Sequence, residues 1–224
     1  MTATAVVLPA PADWVRAVTD GTERSAEEAE SVFWAAIADA VAAAAEGGGP
    51  MVVYDADATL EGKGNVPDWL GTEYPVISGS AVAFSDVPGE LARRHGEASV
   101  ALVAGTCPLL GRRHVDAGAM RLRRNGVVIG ADQTADWYYL GTSAELAASV
   151  DPTARPRELA TWGTEAGADV DFMPMLPVVR DADSLAVIEE LLAAHAVART
   201  AAAPTTRATL ERLGIIDPPV PGGE

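Results

Sequence analysis

The sequence predicts one doubly wound α/β domain, a mostly parallel sheet flanked by helices, and three observations carry that prediction. Apolar runs of strand length, Ala5-Val6-Val7-Leu8, Met51-Val52-Val53-Tyr54, Val100–Ala104 and Val127–Gly130, lack the polar alternation of a half-exposed sheet and suit strands buried on both faces. Segments of helical period lie between them. At 224 residues the chain is long enough for one sizeable α/β core and short for two.

After the strand Ala5–Leu8, a loop rich in Pro and polar residues reaches Arg24. Ser25-Ala26-Glu27-Glu28 has the capping-box pattern, in which the serine caps a backbone N–H and the glutamate reaches back. The helix behind it carries Ala29, Val32, Phe33, Ala36, Ile37, Ala40 and Val41 on one face and ends at Gly47-Gly48-Gly49. Met51–Tyr54 is the second strand. An irregular stretch punctuated by Gly62, Gly64, Pro67, Gly71, Pro75 and Gly79 follows, and Asp86 is expected to cap a short helix through Arg94.

The stretch from Ala98 to Gly141 reads as a βαβ unit. Its parts are the strand Val100–Ala104, a sharp loop at Gly105-Thr106-Cys107-Pro108, a basic-headed helix Arg112–Arg124, the strand Val127–Gly130, and a polar loop ending in Trp137-Tyr138-Tyr139. Pro156–Glu165 is expected to be helical, and Asp171–Val179 a further strand, antiparallel at an edge. Ser184–Arg199 is an amphipathic helix with Leu185, Ile188, Leu191 and Leu192 inward. Residues 1–200 thus form the domain, and 201–224 a short helix with a frayed tail through Pro218–Gly223.

Composition narrows the partners. The 32 acidic and 16 basic residues leave a net charge of −16, and every basic residue except Lys63 is arginine. Such a chain repels nucleic acid and anionic membranes, which need clustered positive charge. A high-salt cytoplasm would favour the acid excess, and a GC-rich genome would favour Ala and Arg. One cysteine, Cys107, excludes an intrachain disulfide and a multi-cysteine metal cage, and three scattered histidines argue against a histidine zinc site. No secretory leader and no apolar run near ~20 residues is apparent, so a cytoplasmic location is expected.

Ligands of such sheets sit beyond the carboxyl ends of the strands, which directs attention to the loops there. Thr106 offers a hydroxyl in a strand-to-helix turn, with Cys107 read as a small buried hydrophobe. Arg112 and Arg113 oppose the dipole at a helix start, which either a bound phosphate or outward pairing with surface carboxylates would explain. Three D-x-D pairs, Asp55/Asp57, Asp169/Asp171 and Asp181/Asp183, could supply hard oxygen ligands, yet pairs arise readily in so acidic a chain. Asp183 also reads as a helix N-cap, and Asp55 and Asp57 suit either a ligand or a solvated loop. In the loop from Asp132 to Tyr139, the acids Asp132 and Asp136 could bind metal or ribose hydroxyls, and Tyr138 and Tyr139 could stack on a base. The alternative is that the aromatics fill the core while the acids face water.

Three segments resemble the small GT-A-like glycosyltransferase or nucleotidyltransferase-like proteins of the DUF2064 group, within the nucleotide-diphospho-sugar transferase superfamily. Val103–Pro108 is similar to the family's I-G-S-D-C-P turn. Gly126–Gly130 through Tyr138-Tyr139-Leu140 is similar to its V-V-L-G-P-A-x-D-G-G-Y-Y-L, and Met175–Leu185 to its L-P-x-L-x-D-V-D-T-P-E-D-L. Order and spacing agree from about Asp86 to Ala194. The resemblance implies a divergent member, with the acid excess pointing to a haloarchaeal source. It implies a nucleotide or nucleotide sugar as ligand, glycosyl or nucleotidyl transfer as reaction, and Mg²⁺ or Mn²⁺ held by Asp136, Asp181 and Asp183. With the readings above, substrate contacts are expected at Thr106, Arg112, Arg113, Asp132, Asp136, Tyr138, Tyr139, Asp55 and Asp57.

The departures are specific. The family's metal-binding acid falls on Thr106, its D-G-G on Ala135-Asp136-Trp137, and its basic Gly-rich loop on Pro9–Trp14. These losses keep a second expectation open, a non-catalytic binding or interaction module on the same fold.

Overall fold

The computed structural model describes residues 1–57, 67, 70, 73–198 and 200–218. The expected turn residues Gly62, Gly64 and Gly71, the helix end at Arg199 and the tail from Pro219 lie outside the described residues. Seven strands, β1 (Thr2–Leu8), β2 (Met51–Asp55), β3 (Val76–Ser78), β4 (Ser99–Ala104), β5 (Val127–Ala131), β6 (Trp137–Ser143) and β7 (Val170–Met173), form one sheet in the order β3-β2-β1-β4-β6-β5-β7. All run parallel except β6, which is antiparallel to both β4 and β5.

Period-two alternation divides the sheet between two cores. Ala3, Ala5, Val52, Tyr54, Val100, Leu102, Val127 and Ile129 face one side, packed by α3 (Val87–His95) and α5 (Pro156–Glu165). Val6, Leu8, Met51, Val53, Ala101, Val103 and Val128 face the other. That side is covered by α1 (Pro11–Thr19), α2 (Ala26–Glu46), α4 (Arg112–Leu122), α6 (Ala182–Val197) and α7 (Pro204–Arg212). The result is the expected helix–sheet–helix sandwich.

The capping box at Ser25 forms as predicted, with the Glu28 amide on the Ser25 hydroxyl at 3.2 Å and the Ser25 amide on the Glu28 carboxylate at 2.8 Å. Three local predictions need correction. The segment before Arg24 is not a loop throughout, because Pro11 in the first turn and inward Trp14 and Val18 make it α1. Asp86 ends a 3₁₀ turn, Phe84–Asp86, and makes no side-chain cap to α3. Asp181, not Asp183, caps α6, accepting the Ser184 amide at 2.8 Å. The helix α7 is tied into the core: Asp39 of α2 accepts the Thr205 and Thr206 amides at 2.9 and 2.8 Å and the Thr206 hydroxyl at 2.7 Å.

The larger correction concerns the βαβ unit. Strands β4 and β5 are parallel with α4 between them, but β6 is inserted between the two. The antiparallel strand is thus Trp137–Ser143, whereas the segment before Pro177 supplies the parallel edge strand β7. A bulge explains why Trp137-Tyr138-Tyr139 does not read as a strand. Gly130 pairs with Tyr139 and Ala131 with Trp137, so Tyr138 is the extra residue and both tyrosines fall on one face. Because β6 is antiparallel, its first residue, Trp137, stands at the edge where β4 and β5 end.

Candidate functional site

The carboxyl ends of β1 and β4 come very close. The Gly105 amide donates to the Val7 carbonyl at 2.8 Å, and a Cβ on Gly105 would stand 2.8 Å from that same oxygen. The glycine is there for close backbone approach. Beyond it, Thr106 and Cys107 are buried, and the thiol, pushed up to about 12 by burial, faces the Pro177 carbonyl at 3.6 Å.

An extended strap crosses these strand ends after β7. Gln133 brackets Val178 with two hydrogen bonds, its amide nitrogen donating to the Val178 carbonyl at 2.9 Å and its oxygen accepting the Val178 amide at 3.1 Å. The Val179 amide donates to the Thr106 carbonyl at 2.9 Å, and its carbonyl accepts the Trp14 indole N–H at 2.8 Å. The Arg180 amide then donates to the Ser184 hydroxyl at 2.8 Å, in the first turn of α6. The strap therefore delivers Arg180 to the strand ends on a backbone fixed from both sides.

The turn between β5 and β6 holds the Arg180 side chain. Its Nε donates to Asp132 Oδ2 at 2.7 Å, while Nη2 donates to the Trp137 carbonyl at 3.2 Å and lies 3.3 Å from Asp136 Oδ2. The Asp132 side chain is fully buried, and its Oδ1 accepts the Thr134 amide and hydroxyl, each at 2.8 Å, and the Asp136 amide at 3.0 Å. Burial alone would raise this carboxyl, but hydrogen bonds from Arg180, Thr134 and the Asp136 amide outweigh it and hold the group below its ordinary value. Ala135 within the turn has φ 58°, a left-handed conformation costing a non-glycine residue about 1–3 kcal/mol. The bonds to Asp132 hold the turn against that strain.

These elements enclose a cleft of about 240 Å³ lined by Val7, Pro9, Phe84, Gly105, Thr106, Asp136, Trp137, Thr153 and Arg180, among others. One wall is aromatic: the Phe84 and Trp137 rings stack at 6.4 Å and 22°, Tyr54 backs Phe84 at 5.4 Å, and the Trp137 indole is oriented by the Pro152 carbonyl at 2.8 Å. The polar residues of the same lining are Thr106, Asp136, Thr153 and Arg180. Aromatic side chains beside a few fixed polar groups suit a ligand with a ring at one end and charge at the other.

Of the residues singled out in the sequence, Thr106 and Asp136 line this cleft, with Asp132 directly behind Arg180. The others are placed elsewhere. Asp55 is buried at the end of β2, where its carboxylate accepts the Asp57 amide at 3.0 Å, and Asp57 is exposed. Arg112 and Arg113 are exposed on α4, Arg112 pairing with Asp116 at 3.2 Å, and neither lines the cleft. Tyr138 and Tyr139 are fully buried instead of shaping the pocket. Gly130 and Gly118 admit their rings, since a Cβ at either would meet the tyrosine at 2.5 or 2.4 Å. Tyr138 donates to the Pro174 carbonyl at 2.7 Å, and burial raises both phenols.

The acids expected for a metal are dispersed and committed. Asp181 Oδ1 is engaged by the Ser184 amide and hydroxyl, and Asp183 lines a different cavity with Asp20–Arg24. Among the described residues, no three His, Cys, Asp or Glu side chains are grouped to hold a metal ion. The residues present at the cleft, a neutral hydroxyl, an arginine-paired Asp136 and a fully engaged Asp132, do not fit a divalent cation.

Sequence reasoning missed Arg180 as a site residue, although Val178-Val179-Arg180-Asp181 lies inside the third matching segment. The family pattern leaves that position unspecified and fixes acids only at Asp181 and Asp183, which follow it. Phe84 was missed as a lone aromatic in an irregular stretch.

The seven-stranded mixed sheet with a cleft at its carboxyl edge is the nucleotide-diphospho-sugar transferase-like fold. Among solved structures, a nucleotide-diphospho-sugar transferase candidate from Desulfovibrio desulfuricans G20 superposes with a TM-score of 0.74 at 13% identity, over 96% of each chain. A nucleotidyl transferase from Methanothermobacter thermautotrophicus matches with a TM-score of 0.54 at 13% identity, over 85% of this chain and 97% of that one. Rv0371c of Mycobacterium tuberculosis H37Rv, solved as a manganese complex, matches with a TM-score of 0.52 at 12% identity, over 85% of this chain and 98% of that one. At such identities the likeness is one of fold. No family model matches the chain, and comparison with the curated proteins finds no match.

Proposed function

We infer that this chain is a cytoplasmic nucleotide- or nucleotide-sugar-binding protein of transferase type, moving a glycosyl or nucleotidyl group. The observation that carries the reading is the cleft at the ends of β1 and β4, which the stacked Phe84 and Trp137 line together with Thr106, Asp136 and Arg180. A base stacks on the aromatic wall, and the phosphates lie toward Thr106 and Arg180. The folds of the Desulfovibrio and Methanothermobacter proteins, with the names they carry, support the reading, as does the resemblance of three segments to DUF2064 proteins. The cleft is smaller than the ~300–1,000 Å³ of sites that engulf a whole ligand, so it holds part of a nucleotide sugar and leaves the rest open to an acceptor. No helix among the described residues is long and apolar enough to cross a membrane.

The test is isothermal titration of UDP sugars, GDP sugars and CTP at high salt, with and without Mg²⁺ or Mn²⁺. Saturable binding of one member, abolished by Trp137→Ala, is the expected result. Silence across the panel overturns the reading.

A further inference from the structure

Resting on that reading, we propose that Arg180 is the diphosphate-binding cation of this cleft and that nucleotide binding here proceeds without a divalent metal. A diphosphate brought to the strand ends needs positive charge, and the described cleft residues supply it from Arg180 alone. Thr106, where the resemblance puts an acid, gives a neutral hydroxyl. Asp132 has both oxygens occupied, one by Arg180 and the other by Thr134 and the Asp136 amide. Its carboxylate is thereby committed to a guanidinium.

The placement of Arg180 is that of a prepared binding group. Its backbone is pinned through Val179 to Thr106 and Trp14, and through its own amide to Ser184. Its Nε is fixed by a buried carboxylate, and the side chain keeps 34% of its surface open. Hydrogen bonds among the described residues engage Nε and Nη2, and Arg180 lines the cleft. Ordering cost is thus largely met before a ligand arrives, which is what preorganisation contributes to affinity. The guanidinium also offers parallel N–H donors matched to phosphate oxygens.

Asp136 sets the condition for binding. Arg180, Asp132 and Asp136 sum to one negative charge, so a diphosphate must compete with the Asp136 carboxylate for Nη2. That carboxylate is the weaker partner, at 3.3 Å with 43% of its side chain exposed, its other oxygen accepting the Trp137 amide at 2.8 Å. Asp136 therefore acts as an anionic placeholder, and its removal should favour the ligand.

The experiment titrates UDP and GDP into the full chain at fixed high salt, once in excess EDTA and once in Mg²⁺ or Mn²⁺. Expected is an affinity in EDTA within roughly threefold of that with metal, a weakening of roughly tenfold or more in Arg180→Gln, and a severalfold gain in Asp136→Asn. Thermal unfolding of each variant checks that it folds. Should Arg180→Gln fail to fold, Asp136→Asn at the half-buried position still decides: unchanged or weaker binding overturns the proposal. Binding that appears only with metal, or that ignores loss of the guanidinium, also overturns it while leaving the transferase reading standing. No binding in either condition overturns the proposal, and silence of the nucleotide sugars and CTP as well overturns the transferase reading.

Discussion

Replacing Asp132 by Ala should be among the most damaging single changes at the cleft, and its size can be worked from the contacts. The carboxylate accepts four hydrogen bonds, from Arg180 Nε at 2.7 Å, the Thr134 amide and hydroxyl at 2.8 Å each, and the Asp136 amide at 3.0 Å. Breaking a buried ion pair costs about 3–5 kcal/mol, but Arg180 is 34% exposed and can turn to water, which brings its share down toward about 1 kcal/mol. The three remaining donors add about 1 kcal/mol each, and relaxation of the strained Ala135 returns about 1 kcal/mol. The net is about 3 kcal/mol. For a chain of this length that lowers the melting temperature by roughly 6–12 °C.

Asp132→Asn keeps one acceptor oxygen for the turn and sets its NH₂ against the Arg180 Nε donor, so it should cost about 1–2 kcal/mol. The folded carboxyl titrates below its unfolded value near ~3.9. Its stabilisation is therefore complete above that pH and is lost as pH falls through the lower folded value; both variants should flatten this acid limb. Equilibrium unfolding in urea at fixed high salt measures all three proteins. Asp132→Ala within about 0.5 kcal/mol of the parent protein would refute the view that this carboxylate organises the cleft.

Three other outcomes follow from the same geometry. Cys107, buried with its thiol pushed up to about 12, should not react with a disulfide reagent in the native state and should react at the rate of global unfolding in denaturant; native labelling would contradict its burial. His114 Nδ1 accepts the Gly111 amide at 3.0 Å at the start of α4, and burial, then Arg113, lowers its pKa. Stability should thus be full above about pH 6.5 and decline as pH falls below it, with the decline reduced in His114→Gln; an unchanged slope would remove His114 as its source. Gly105→Ala should cost about 1–3 kcal/mol by urea unfolding, because its Cβ meets the Val7 backbone oxygen, and a neutral effect would mean the two strand ends can part freely.

The legible part of this molecule was the part governed by local patterns. The buried strands β1, β2, β4 and β5 read as apolar runs, α2 announced itself through Ser25 and Glu28, and α5 was bounded as found. What the pattern could not show was set by pairing across the sheet. A bulge at Tyr138 destroyed the alternation of β6, so a strand looked like a loop and two core tyrosines looked like pocket residues. Pro11 at a helix start looked like a loop residue because the partners of Trp14, Phe33 and the Val179 carbonyl, are distant in sequence. Thr106 and Asp136 were legible as cleft-lining residues from their place beyond strand ends. Arg180 was not, since only the strap, folded back over Thr106, brings it there.

The most direct test of the central claim is amide and arginine side-chain chemical-shift mapping by NMR during titration of a nucleoside diphosphate in EDTA. The claim predicts saturable shifts at Gly105, Thr106, Asp136 and Trp137, together with the Arg180 Nε–H. Shifts confined to the opposite edge of the sheet, around Thr2, Ser99 and Ser143, or shifts that appear only after a divalent metal is added, would contradict it.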